Sequence, residues 1–299
     1  MKRGASAQVR LYAVLARRFP IAVIFRRGPS KNVLLIRWDT SHDTFEYGQW
    51  FKGRIYERRC DLSPDGDLLL YFAANHKKPY QSWSAISRPP YLTALVMWPT
   101  GDTYQGGGHF LSQHRIALNH VEYEVELAKG LSLPKGLRIE QFDYRPGWQE
   151  DDPIWSKRLE RDGWTLVSWP TKTKDNFGSR VMWEPDPAIK WVKVNPKWPK
   201  RYSLEMSITG IGERNGPWYL TEHAVIRDGN RIDRIGRSDW AEWSHTGDLL
   251  FAMDGALYRA KCSRGILTPL EEATRIADFS NLKFENRKAP YAHGEWRRK

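Results

Sequence analysis

Two cysteines in 299 residues, Cys60 and Cys262, are too few for a disulfide framework or a cysteine-based zinc site. Each flanks an apolar strand pattern, so both are expected to be buried free thiols in a reducing compartment. Long apolar runs are lacking too. Near the start, the runs at 11–16 and 21–25 are broken by Arg17, Arg18 and Pro20, which excludes the uninterrupted core of a secretory signal within this sequence. Nothing elsewhere approaches the ~18 consecutive apolar residues of a membrane-spanning helix. The expectation is a soluble, cytoplasmic protein. There is also no lysine-rich arm: basic clusters such as Arg26-Arg27, Arg58-Arg59 and Arg297-Arg298-Lys299 are short and scattered.

What is present is basic and aromatic. Lysine plus arginine exceeds aspartate plus glutamate by 47 to 35, a formal charge of +12, which suits an acidic partner such as a nucleic acid or an acidic protein. Fifteen tryptophans suit wide, half-buried sheet faces. Ser6 can cap a short helix over 7–18 that Pro20 would end. After it the pattern becomes β. Apolar runs at 21–25 and 33–38 flank the turn residues Gly28, Pro29, Ser30 and Asn32, which predicts a hairpin.

The stretch "DLSPDGDLLLYFA" (61–73) carries a Ser-Pro-Asp-Gly turn followed by an unbroken apolar strand. "WSHTGDLLFAM" (243–253) repeats the arrangement. Weaker copies centre on Arg115, Gly163 and Gly216. The anchors Gly66, Arg115, Gly163, Gly216 and Gly247 stand 49, 48, 53 and 31 residues apart. Turn-flanked strands at such a period are expected of propeller blades. Asp-Gly pairs at 228–229 and 254–255 predict two further hairpins. The proline-rich segment 183–202 reads as a long connection, 268–279 as a short helix capped by Thr268, and 281–285 as a last strand.

The motifs "LSPDGDLLLYF" and "WSHTGDLLFAM" resemble the blade signature of TolB-like and WD40-like β-propellers, with Trp243 at the usual aromatic position and Leu62 replacing it in the first copy. The resemblance implies a ring of four-stranded sheets and a surface for binding other molecules. The resulting expectation is an all-β, single-domain propeller of about five blades with a short N-terminal helix. Its parts would be a lead-in over 1–20, the propeller over 21–285 and a tail over 286–299. A two-sheet sandwich is the structural alternative.

The densest polar and aromatic stretch is 37–59. In an extended strand Lys52, Arg54, Tyr56 and Arg58 would share one outward face. With Trp50 and Arg59 they could stack bases and hold phosphates, so Trp50, Lys52, Arg54, Arg58 and Arg59 are the candidate contacts for an acidic protein or nucleic acid. The competing class is a glycan hydrolase, for which Asp39, Asp43 and Asp61 are candidate carboxylates. His42 with Asp39 and Asp43 lacks recognisable metal spacing. "GDTYQGGGHF" (101–110) lacks the Lys-Ser/Thr of a phosphate loop, and its glycines predict a sharp bend or close backbone approach. No cofactor or metal is expected. The reading is a non-enzymatic interaction scaffold.

Overall fold

Turn-forming residues, glycine, proline, aspartate, asparagine and serine, recur along the sequence, and short strands fill the intervals. A computed structural model describes residues 9–28, 31–120, 126–142, 151–176 and 178–296. Strands β1 (Arg10–Leu15), β2 (Ile21–Arg27), β3 (Asn32–Asp39) and β4 (Thr44–Lys52) form a sheet in sequence order. β2 and β3 make the expected hairpin, with Ile24 opposite Ile36. In the second sheet β5 (Arg54–Ile55) and β6 (Asp61–Leu62) both pair with β7 (Leu69–Ala74), which is followed by β8 (Ser82–Ser87) and β9 (Val96–Pro99). All six residues of β7 are buried, as its unbroken apolar run predicts. A third sheet holds β10 (Gly108–Ser112), β11 (Arg115–Leu118) and β12 (Arg138–Gln141), the last pair parallel. The helix α1 (Ile154–Arg161) follows.

A seven-stranded sheet comes next. It contains β13 (Trp164–Ser168), β14 (Lys172–Asp175), β15 (Val181–Asp186), β16 (Ile189–Val194), β17 (Tyr202–Glu213), β18 (Tyr219–Arg227) and β19 (Asn230–Arg237). The strands β20 (Trp240–Trp243), β21 (Leu249–Met253) and β22 (Ala256–Ala260) form a further sheet with β25 (Thr274–Asp278), and β23 (Cys262–Ser263) pairs with β24 (Ile266–Leu267). The fold is therefore all-β, built of many small antiparallel sheets with one short α-helix among the described residues. Contacts divide the chain into two compact units. One is Ala13–Arg158 with Lys283–Lys299, here the first unit; the other is Met1–Tyr12 with Leu159–Leu282, the second. In the first unit Leu68, Leu70, Ile86, Trp98, Phe110, Ile116 and Leu118 pack into one apolar cluster.

The helix is not where the sequence placed it. Residues 10–15 are strand β1: Leu11 and Ala13 point inward while Arg10 and Tyr12 are half-exposed. The period of two in Arg-Leu-Tyr-Ala outweighs the capping and stop signals used to infer a helix; Ser6 lies outside the described residues. The observed helix follows Asp152, whose carboxylate accepts from Ser156, and ends at Gly163, whose N–H donates to Glu160 O at 3.1 Å with φ +91°. Gly163 is thus a helix terminator and not a copy of the Ser-Pro-Asp-Gly turn. The segment 183–202 is not a connection either. Pro185 lies in β15 opposite Thr173, beyond Trp183, the last β15 residue that pairs with β17, so its missing N–H interrupts no ladder on that side. Residues 268–279 form a 3-10 turn (Leu270–Glu272) and β25 instead of a helix, and 281–285 form no strand.

The opening repeat is real at its two ends. Ser63 Oγ accepts the Leu68 N–H at 3.0 Å, and Gly66 N–H donates to Ser63 O at 2.9 Å with φ +84°. Ser244 Oγ accepts the Asp248 N–H at 3.0 Å, and Gly247 N–H donates to Ser244 O at 3.0 Å with φ +87°. Each turn delivers its chain into a buried strand of its own unit. Both Asp-Gly hairpins form as expected, with positive φ at Asp228, Gly229, Asp254 and Gly255.

Candidate binding site

β4 is the exposed strand of its sheet, and its end carries two of the sequence candidates. Trp50 stands opposite Leu34 and is half-buried; Lys52 stands opposite Asn32 and is exposed. Between Tyr47 and Trp50 the register slips, leaving Gly48 and Gln49 as a bulge. Only glycine fits at 48, because a Cβ there would lie 1.8 Å from Pro90 O. The bulge aims Gln49 inward. Its Oε1 accepts the N–H groups of Leu92 and Thr93 at 2.7 and 2.9 Å, and its Nε2 donates to Arg287 O at 3.1 Å. Arg287 in turn donates to Tyr47 O at 2.6 Å. These bonds hold the segment after 283 against β4 and bring Phe284 to the site.

The outcome is a ladder of cations and rings. The Arg26 guanidinium lies 5.4 Å from the Trp50 ring centre, Trp50 lies 5.9 Å from Phe284, and Lys52 Nζ stands 4.4 Å over Phe284. Arg26 is fully buried, whereas Phe284 is 40% exposed. The ladder therefore runs from core to solvent, ending on Lys52. Exposed Lys31 borders it, since its carbonyl accepts the Gly53 N–H at 2.8 Å.

The basic stripe expected beyond Lys52 does not form. Glu57–Arg59 is a 3-10 turn, which breaks the period of two and turns Arg58 and Arg59 inward, to 8% and 1% exposure. Arg54 stays half-exposed, its guanidinium 4.2 Å from the Tyr56 ring. Arg58 lies 4.8 Å from the Trp155 ring. Arg59 pairs with Asp151 at 3.3 Å and donates to Thr103 O at 2.9 Å. Arg158 donates to Cys60 O. Burial pushes the Glu57 carboxyl up, but Arg27, Arg58 and Arg54 outweigh it and hold that carboxyl below its ordinary range. These arginines bind the first unit together from inside.

The glycine loop belongs to the same structure. Gly107 N–H donates to Ser84 Oγ at 2.7 Å, and Gly106 N–H donates to Asn119 O at 2.7 Å. These donors are spent internally and make no phosphate cradle. Cβ atoms at 106 and 107 would meet the Phe72 ring at 2.2 Å and Arg59 O at 2.5 Å, so the glycines serve close approach, as their run suggested.

The three candidate carboxylates are each engaged by internal hydrogen bonds. Asp39 accepts the Ser41 N–H at 2.9 Å and the Ser41 hydroxyl at 2.5 Å; these bonds, with those from His42, hold its carboxyl down to about 2. Asp43, in the same turn, accepts the Trp38 Nε1–H at 3.0 Å. Asp61 is fully buried in a different sheet and accepts the Phe110 N–H at 2.7 Å. His42 approaches Asp39 at 3.3 Å, yet among the described residues no three His, Cys, Asp or Glu side chains converge to hold a metal. Cys60 is buried and Cys262 half-buried, both free. Burial pushes the Cys60 thiol far up, which keeps it protonated. His120, bonded to Ser84 Oγ at 3.1 Å, is pushed down to about 4 by burial and is neutral at pH 7. No helix among the described residues is long and apolar enough to cross a membrane.

No family model and no curated protein matches this chain. Several solved structures share weak likeness with it, two of them as follows. An uncharacterized protein of Listeria monocytogenes EGD-e aligns at 9% identity and a TM-score of 0.25, covering 86% of this chain and 63% of that one. A protein of Bacteroides fragilis NCTC 9343 described as a "putative 6-phosphogluconolactonase" aligns at 10% identity and a TM-score of 0.28, covering 92% of this chain and 98% of its own. Likeness at these scores carries no argument about fold or activity. The chain spans less than two thirds of the Listeria protein's length.

Proposed function

We propose that this protein is a non-enzymatic scaffold that binds an acidic protein or a nucleic acid through the basic, aromatic end of β4. Lys52, Trp50 and Phe284 are the contact groups, and Arg54 flanks them. Arg58 and Arg59 support this face from within. The observation that carries the reading is the ladder from buried Arg26 through Trp50 and Phe284 to exposed Lys52. A cation already seated on a ring is pre-organised, so a bound anion costs little further ordering. A base or an aromatic side chain could extend the stack where Phe284 is open.

We infer further that the small sheets are blades of a propeller-type scaffold. Sheets whose strands follow one another in sequence, such as β1-β2-β3-β4 and β20-β21-β22, support this. Five sheets of three or more strands among the described residues support a count of about five. The seven-stranded sheet and the parallel pair β11–β12 depart from a plain four-stranded blade.

The binding face is tested on a heparin column. Lys52→Glu and Trp50→Ala, each checked for an unchanged circular dichroism spectrum, are expected to elute at lower salt than the unmodified protein. Unchanged elution of both would remove β4 as the contact surface.

A further inference from the structure

The second unit carries an exposed basic corner that the β4 reading does not use. It is built from two turns. In the first, buried Asn195 accepts the N–H groups of Lys197 and Trp198 at 2.9 and 3.0 Å and donates to Gly247 O at 2.8 Å. The N–H groups of Arg201 and Tyr202 then close on Trp198 O, both at 3.0 Å. The second turn is the tip of the β23–β24 hairpin, Arg264-Gly265, with φ of +50° and +74°.

The turns lock together at the tryptophan. A Cβ on Gly265 would stand 3.1 Å from the six-membered ring of Trp198, so that ring rests on peptide backbone. Tyr202 fixes the hairpin by donating its hydroxyl to Gly265 O and accepting the Leu267 N–H, each at 3.3 Å. Trp198 nevertheless remains 36% exposed. Lys197, Lys200 and Arg201 belong to the first turn, Arg264 to the tip of the second and Lys261 to its base; all are exposed, and none forms an ion pair among the described residues. Asp248, the carboxylate that reaches this hairpin, is engaged by Arg259 at 2.8 Å and by the Cys262 N–H at 2.9 Å. Asp228, whose N–H donates to Arg201 O at 3.0 Å, is an acid bordering the turn, where the corner carries five cations.

We propose that this corner binds single-stranded nucleic acid, with a base stacked on Trp198 and the neighbouring phosphates held by Lys197, Lys200, Arg201, Lys261 and Arg264. A fixed, partly open aromatic ring on a cationic corner is the arrangement that captures a strand without reading its sequence. An acidic peptide would satisfy the cations and leave the ring without a flat partner. A base and its phosphates satisfy both. The proposal stands apart from the β4 reading, because the two surfaces lie on different units and are removed by different substitutions.

The test is a fluorescence-anisotropy titration of the full chain against a labelled 12-nucleotide single-stranded DNA at several salt concentrations. Trp198→Ala is expected to weaken binding roughly 5- to 100-fold, the effect of losing one stacked base. Trp198→Phe, which keeps a ring on Gly265, recovers most of that loss and separates stacking from misfolding. The double variant Lys200→Glu, Arg201→Glu weakens binding and shallows the salt dependence by about one to two in logarithmic slope. Measured in a Lys52→Glu background, which removes the β4 contact, Trp198→Ala is expected to give the same fold loss. Equal affinity of Trp198→Ala and the unmodified protein would overturn the proposal. So would binding of a polyglutamate peptide that is tighter than that of the oligonucleotide and is lost in the Lys200→Glu, Arg201→Glu variant, which would assign the corner to an acidic protein.

Discussion

Several side chains here act by where they are buried more than by what they are. Arg59 and Asp151 form an ion pair at 1% and 7% residue exposure, with the arginine also bonded to the glycine loop. Removing one partner of such a pair costs about 3–5 kcal/mol, so substitutions at Arg59 report on stability and not on a surface. His120 gives a pH test. The unfolded imidazole titrates near 6.5, whereas burial holds the folded one down to about 4. Between those values the unfolded chain binds a proton that the folded chain refuses, so this contribution is intact above 6.5 and is lost as pH falls toward 4. The loss is on the order of 3 kcal/mol by pH 4. Urea denaturation at pH 7, 5.5 and 4 should show a shallower decline for His120→Gln than for the unmodified protein; parallel declines would contradict the assignment. None of this was visible in the sequence, where His120 is one of eight dispersed histidines. Trp50 and Lys52 could be read as candidates from composition. Phe284 and Gln49 could not, because a pattern along one strand carries no information about a segment that joins it from the far end of the chain.

At the scale of elements, local chemistry was legible where it is self-contained. The Ser-Pro-Asp-Gly and Ser-His-Thr-Gly turns use one serine hydroxyl to close each reversal, and both Asp-Gly hairpins follow from the left-handed conformation of their central residues. Ser63→Ala should cost about 1–3 kcal/mol, because it leaves the buried Leu68 N–H without its acceptor. Ser244→Ala removes the matching bond to the Asp248 N–H and should cost about 1 kcal/mol. Thermal unfolding of the two variants checks this, and a loss at neither site would show that the turns do not depend on their hydroxyls. The element readings that failed are those where pairing overrode a local signal. β1 takes strand geometry despite helix punctuation, Pro185 is tolerated where one edge of its strand has no partner, and a helix ending at Gly163 imitated the turn motif.

For the whole molecule, charge and ring content were the informative quantities. The excess of twelve positive charges leaves cationic groups that folding does not neutralise, and fifteen tryptophans leave some rings at the surface. From composition an acidic partner is an expectation, and composition names no surface for it. Regular spacing of glycines overstated the repeat, since one of its anchors terminates a helix. All-β architecture was legible from the density of turn residues, whereas the division into two compact units was not, because it follows from contacts between residues distant in sequence. The proposed polyanion-binding face consists of the end of β4 with Phe284. Hydrogen–deuterium exchange of the full chain, with and without a heparin oligosaccharide, tests it directly. Slowed exchange at residues 50–54 and 283–288 on binding is the predicted result, and binding that leaves both segments unprotected would contradict it.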